Sequence, residues 1–291
     1  MSEAPAGSGK GDGARPSPRL FGIHARPGTR LRWMLAALPF LLLALVYGIA
    51  SDARHRANRD DKLLPTPAQM VSAVERMAFT QDPRTGSYPM LADTRSSLRR
   101  LAIGLGLAAL AGLVLGLNIG LFPGLSASAT PFVTFLSMIP PLAILPILFV
   151  TLGVDELAKV ALIFIGVFPV ITRDVANTVN QLPREQVTKA LTLGASQLDL
   201  VYRVVLPQVW PRLIEALRLS LGAAWLFLIA AEAIAADDGL GYRIFLMRRY
   251  LAMDVILPYV MWITALGFTM DWLLRTVLRR GFPWYRSGEP A

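Results

Sequence analysis

REQVTKALTLGASQLDLVYRVVLPQVWP, residues 184–211, is the polar stretch between two apolar runs from which the rest of this chain can be read. It reads as two short helices meeting at a turn. Pro183 suits the opening turn of a helix, where its missing N–H is not needed. Val187, Ala190 and Leu191 recur at helical spacing and make one apolar face. Gly194 can adopt the left-handed backbone that closes a helix. Ser196 can cap the helix that follows, with Asp199 in a capping-box position. Leu198, Tyr202 and Val205 form the apolar face of this second helix. Pro207 and Pro211 interrupt the pattern before a new apolar run begins.

Apolar residues make up 54% of the 291, above the roughly 45–50% of an ordinary soluble domain. Mean hydropathy is positive. The simplest reading is an integral membrane protein whose length makes one bundle of spans. There is no cysteine, which excludes disulfide and thiolate chemistry. The two histidines, His24 and His55, fall outside the apolar runs, which excludes a histidine metal site or catalytic triad within the bundle. A net charge of +9 fits basic loops facing anionic lipid.

Residues 1–32 are rich in Gly, Pro, Ser and Ala with scattered arginines, and read as a disordered basic tail. The run Trp33–Ala50 is long for the apolar core of a signal peptide and begins late, so it reads as the first transmembrane helix. Arg30 and Arg32 would hold its start in the cytoplasm. Within the polar segment 51–98, Pro67–Phe79 predicts a short amphipathic helix with Met70, Val74, Met77 and Ala78 on one side. It would lie against the outer membrane face or against the bundle. Leu101–Phe122 is a second span, in which Gly104, Ala108, Gly112, Gly116 and Gly120 recur every four residues and let a neighbouring helix approach closely. Leu125–Val154 is uncharged, carries Pro131, Pro140, Pro141 and Pro146, and exceeds the ~20 residues one span needs. Its prolines predict a kinked helix that either lines a pathway or serves packing. Leu157–Thr172, Leu213–Ala236 and Val255–Leu274 complete six spans, with a basic tail over 279–291. Glu232 interrupts the fifth. A carboxylate within a span faces a bundle interior or a water-filled cavity, which makes Glu232 a pathway or gate candidate. The alternative is a carboxylate near the interface that pairs with Arg243 or a backbone group.

The stretch 184–211 resembles the cytoplasmic "EAA" loop of permease subunits in binding-protein-dependent ABC importers. Ala190, Gly194, Leu206 and Pro207 match its register, and Thr188 and Lys189 stand where the family places Glu and its first Ala. Ile139-Pro140-Pro141-Leu142-Ala143 with Pro146, the segment Leu219–Trp225, and Ala231-Glu232 followed by Gly239-Leu240-Gly241-Tyr242 are similar to the nitrate, taurine, sulfonate and bicarbonate branch. The resemblance covers roughly Leu98 to Leu274. It implies an all-α polytopic membrane protein of about six transmembrane helices with a cytoplasmic coupling-helix loop, type I ABC importer-like. The permease core would occupy 99–278, after a segment 33–98 that holds the first transmembrane helix and the outer amphipathic segment. Glu185, Thr188, Lys189, Ala190, Gly194, Ala195, Ser196, Leu206 and Pro207 would couple the chain to an ATPase. Pro140, Pro141, Pro146 and Glu232 are the pathway candidates. The implied partners are two copies of an ABC ATPase subunit, a periplasmic or lipid-anchored substrate-binding protein, a second copy of this chain and membrane lipid, with no nucleic acid. The implied location is the bacterial cytoplasmic (inner) membrane, with both termini and the 184–211 loop cytoplasmic. Basic residues divide almost evenly between the two sides, so this orientation rests on the tails and on the resemblance.

No phosphate-binding G-x-x-x-x-G-K-[ST], G-x-S-x-G, H-E-x-x-H or Cys-x-x-Cys pattern occurs. The chain is therefore read as a non-enzyme without catalytic or metal-ligating residues, ATP and Mg²⁺ being bound by the partner ATPase. The first rival is a secondary transporter not coupled to ATP. It would not need the Gly194…Leu206-Pro207 loop, and its fold would often show inverted repeats. An importer of the same type for a neutral or cationic nitrogen compound is another. A membrane-tethered DNA-binding regulator is suggested by a helix-turn-helix likeness over Leu191–Val205, but Arg203 is the lone base of its second helix and Asp199 opposes phosphate. A purely structural membrane protein would have no use for the loop.

Overall fold

Residues 28–58, 61–83 and 86–285 are described in a computed structural model of the chain. The expected basic tail up to residue 27 and the tail from Arg286 onward lie outside them. The described residues form eleven α-helices and two π turns and no strand. They divide into two units, Met1–Leu64 and Pro65–Ala291.

The first unit is built on α1 (Thr29–Ala57), a 29-residue helix about 43 Å long at 1.5 Å per residue. That is long enough to cross a bilayer. Toward its end, the buried Ser51 hydroxyl donates to the Leu64 carbonyl at 3.0 Å, and Arg54 pairs with Asp61 at 2.5 Å.

The second unit opens with α2 (Pro67–Val74), continued by a π turn over Glu75–Phe79. Thr66 and Gln69 form a capping box at its start. Ala73, Val74 and Met77 pack on Met90, Val255, Pro258 and Tyr259. The amphipathic segment thus lies against α3 (Pro89–Leu121) and α11 (Met253–Gly281) of the bundle. Then follow α3 (Pro89–Leu121), α4 (Pro123–Met138), α5 (Pro141–Leu152), α6 (Glu156–Asn180) and α7 (Arg184–Thr192). The short α8 (Gln197–Asp199), a π turn over Leu200–Val205, α9 (Leu206–Ile234), α10 (Leu240–Arg248) and α11 (Met253–Gly281) complete the order. Five helical stretches are long and apolar enough to cross a membrane, or six when α4 and α5, bent by 93° across Ile139 and Pro140, count as one broken span.

The core is the three-helix contact of α3, α6 and α9. Gly104, Gly112, Gly116 and Gly120 turn toward α6. A Cβ on Gly116 would stand 2.7 Å from the Thr172 carbonyl oxygen, and one on Gly120 would stand 2.5 Å from the Val179 Cβ. The every-fourth-residue stripe is therefore a backbone-to-helix packing seam, as small-residue stripes in membranes are. Ile163, Val167, Ile171 and Val175 of α6 are buried against it, and Leu213, Ala224 and Leu228 of α9 close the other side.

One expectation is corrected here. Pro207 and Pro211 do not interrupt the chain before the fifth span, because Gln197–Ile234 runs as one continuous helical rod. Pro207 lies in the first turn of α9, directly after the wide π turn of Leu200–Val205. Such turns accommodate breaks in the regular hydrogen-bond ladder. The Gln208 side chain supports that region by donating to the Val204 carbonyl at 2.8 Å. The second short helix is thus the foot of the span itself.

Candidate functional site

The 184–205 segment stands at one end of the α3–α6–α9 core, joined to α6 through Gln181–Pro183 and to α9 without a break. Helix α7 ends in a full Schellman motif. The Ala195 N–H donates to the Ala190 carbonyl and the Gly194 N–H to the Leu191 carbonyl, both at 3.0 Å. This requires a left-handed residue, and Gly194 has φ +85°. Ser196 and Asp199 then form the capping box read from the sequence, with the Asp199 N–H donating to Ser196 Oγ at 3.1 Å and the Ser196 N–H to Asp199 Oδ2 at 3.3 Å. Ala190, Gly194, Ala195 and Ser196 therefore set the angle between the two helices. Glu185, Thr188 and Lys189 are solvent-facing on α7, Thr188 Oγ1 donating back to the Arg184 carbonyl at 3.0 Å. Leu206 and Pro207 begin α9.

The two predicted apolar faces divide differently from the expectation. Val187 and Ala190 pack toward the core, and Val205 with Leu200 is buried in it. Leu191, Leu198 and Tyr202 are instead more than half or about half exposed, and Leu193 at the tip is 88% exposed. A helical period shows which residues share a face, but not whether the chain's own core or another surface covers it. Helix α7 has no buried side chain. The result is a rigid, doubly capped, polar turn that displays four large apolar side chains.

The pathway candidates lie elsewhere. Pro140 and Pro141 make the 93° corner between α4 and α5, and Pro146 is exposed inside α5. Glu232 is 0% exposed and sits at the opposite end of the bundle from Gly194. Its carboxylate accepts from Ser97 Oγ at 2.8 and 2.9 Å, from an Arg100 guanidinium N–H at 2.8 Å and from the Gly241 N–H at 2.8 Å. It is closed in within a single copy, and its charged partner is Arg100, 2% exposed, and not Arg243. Arg243 pairs with Asp93 at 2.8 Å. Asp93 is also buried and accepts from Tyr259 and the Gly239 N–H at 3.1 Å each. Arg100 further binds Glu156 at 2.5 Å, the Asp238 carbonyl at 2.9 Å and the Asp238 carboxylate. Desolvation pushes the Asp238 carboxyl up, but hydrogen bonds from Ser96 and Arg100 outweigh it and leave it below its ordinary value. This network straps the far ends of α3, α6 and α9 to the turn before α10. Sequence reasoning missed Arg100, Ser97 and Asp93. The available signal was that a carboxylate in one apolar helix calls for a cation in another.

The family described as "Binding-protein-dependent transport system inner membrane component" matches residues 105–281. The chain is 31% identical over 222 residues to the taurine transport system permease protein TauC of Escherichia coli (strain K12), covering 76% of this chain and 80% of that one. It is 36% identical over 194 residues to the bicarbonate transport system permease protein CmpB of Synechococcus elongatus, covering 64% and 69%. It is 25% identical over 279 residues to the putative aliphatic sulfonates transport permease protein SsuC of Bacillus subtilis (strain 168), covering 95% and 97%. Among solved structures, an inward-facing MetNI methionine ABC transporter chain shares the fold, with a TM-score of 0.57 and 20% identity over 64% of this chain and 93% of that chain.

Proposed function

We propose, from the premise that the chain belongs to the inner membrane component family of binding-protein-dependent transport systems, that it is the membrane pathway subunit of an ATP-driven importer for a small sulfonate-, taurine- or bicarbonate-like solute. The observation that carries the ATP coupling is the 184–205 turn, rigid, capped at both helix ends, polar at its base and apolar at an uncovered tip. A separate ATPase subunit receives Leu191, Leu193, Leu198 and Tyr202 and binds the ATP and Mg²⁺. Two copies of this chain form the pathway, since each offers one such turn among its described residues and two ATPases work as a pair. A binding protein delivers the solute on the far side, and both termini face the ATPase side. The cargo class follows the taurine, sulfonate and bicarbonate names of the relatives.

Co-expression with candidate ATPase and binding-protein subunits tests this, with ATP hydrolysis measured in lipid. Among the described residues, nothing beyond its own chain neighbours lies within 4 Å of a Cβ built on Gly194. A side chain there therefore starts into open space, at a backbone strain of about 1–2 kcal/mol. Gly194→Arg is expected to lower solute-stimulated hydrolysis about tenfold, equivalent to about 1.4 kcal/mol. Gly194→Asn, which tolerates the left-handed backbone without the bulk, keeps most of it. A chain that purifies alone, moves solute without ATP and ignores Gly194→Arg contradicts the reading.

A further inference from the structure

We infer that Asp174, Arg212, Glu215 and Tyr285 form a positioning relay that fixes the roots of the 184–205 turn, so that a push on α7 reaches α6, α9 and the end of α11 together. This rests on the importer reading above. Asp174 stands near the end of α6, Arg212 and Glu215 near the start of α9, and Tyr285 just beyond α11. Arg212 grips Asp174 with two parallel N–H···O bonds of 2.7 and 2.8 Å. A third N–H reaches Glu215 at 3.0 Å, and the Tyr285 hydroxyl donates to the same Glu215 oxygen at 2.7 Å. Burial pushes the Tyr285 phenol up, reinforced by its bond to Glu215, so it remains a donor at neutral pH.

The geometry explains why such a relay is needed. Helix α7 has no fully buried residue: Val187 and Ala190 pack only partly against the core, and its described side-chain hydrogen bond to α9 is Gln208–Gln186 at 3.0 Å. A load applied at Leu193 would swivel α7 unless the helices on either side of it were fixed to each other. The guanidinium fork sets direction as well as distance, which a single hydrogen bond does not. Arg218–Asp271 at 3.0 Å adds a second tie between α9 and α11 on the same side.

The chain has no cysteine, so spin labels at Leu193→Cys on the tip and Val277→Cys on α11 report their separation in the full chain by pulsed electron resonance. Asp174→Asn and Tyr285→Phe are expected to widen the distance distribution roughly twofold, as loosening of a local unit does. Asp174→Glu, which keeps the carboxylate, stays close to the parent. With ATPase, binding protein and taurine as the probe solute, Asp174→Asn is expected to lose severalfold in solute moved per ATP hydrolysed while hydrolysis continues. An unchanged distribution in Asp174→Asn, even with a lower unfolding temperature, would mean that the pair only stabilises the fold and overturns the relay. Failure of any ATPase to associate would overturn the importer reading instead, and the label result would stand apart from it.

Discussion

Arg100→Ala is expected to destabilise the protein by about 3–5 kcal/mol, the range seen when one member of a buried ion pair is removed. The cause is what remains. Glu232 stays fully enclosed and keeps only the Ser97 hydroxyl and the Gly241 N–H as donors, while Glu156 and Asp238 lose a shared cation. Glu232→Gln is the milder change. Arg100 retains Glu156 and Asp238, both with side chains close to half exposed, so the expected cost is about 1–2 kcal/mol. The double variant Arg100→Met with Glu232→Leu removes both charges and recovers most of the loss, since apolar replacement of a whole buried pair is often neutral. Thermal unfolding in detergent, followed by tryptophan fluorescence, measures all three. Equal losses in Arg100→Ala and Glu232→Gln would show that the cost is not an uncompensated carboxylate.

Gly116→Leu is the second large effect. Its first added carbon would lie 2.7 Å from the Thr172 carbonyl oxygen and 2.7 Å from the Val175 Cβ, one of them backbone that cannot rotate away. The rest of the leucine must then lift α3 off α6. Overpacking a close-packed core costs typically 1–3 kcal/mol, and the upper end or more, about 3 kcal/mol, is expected where backbone must move. Gly106→Leu on the same helix is the control, because among the described residues nothing lies within 4 Å of a Cβ there, and it should escape that loss. If both variants melt alike, the stripe is not the α3–α6 seam.

These effects show what the sequence could and could not disclose. Spans, caps and the glycine stripe depend on neighbours within one or two turns, so apolar runs, Gly194, and Ser196 with Asp199 announced them. The partner of Glu232 did not announce itself, because Arg100 is 132 residues away and sits at the polar start of a span, where it resembles any membrane-edge arginine. The same holds for Asp174 and Arg212, 38 residues apart across the loop. Pro207 misled for a different reason. A proline removes one N–H and crowds the preceding turn, but whether the helix stops or widens into a π turn depends on the packing on either side, and Leu200, Val205 and Val209 are all buried. Likewise the exposed Leu191, Leu198 and Tyr202 follow helical spacing without showing that this chain leaves them uncovered.

That uncovered tip is the most direct place to test the account. A photo-activated cross-linker on Leu193→Cys, in an otherwise cysteine-free chain, would be compared with one on Val154→Cys. Val154 is also exposed, in the turn between α5 and α6 at the opposite end of the bundle. In the assembled, ATP-hydrolysing complex the account predicts an adduct between the Leu193 position and the ATPase subunit, and none from Val154. An active complex that cross-links to the ATPase from Val154, or not at all from Leu193, contradicts it.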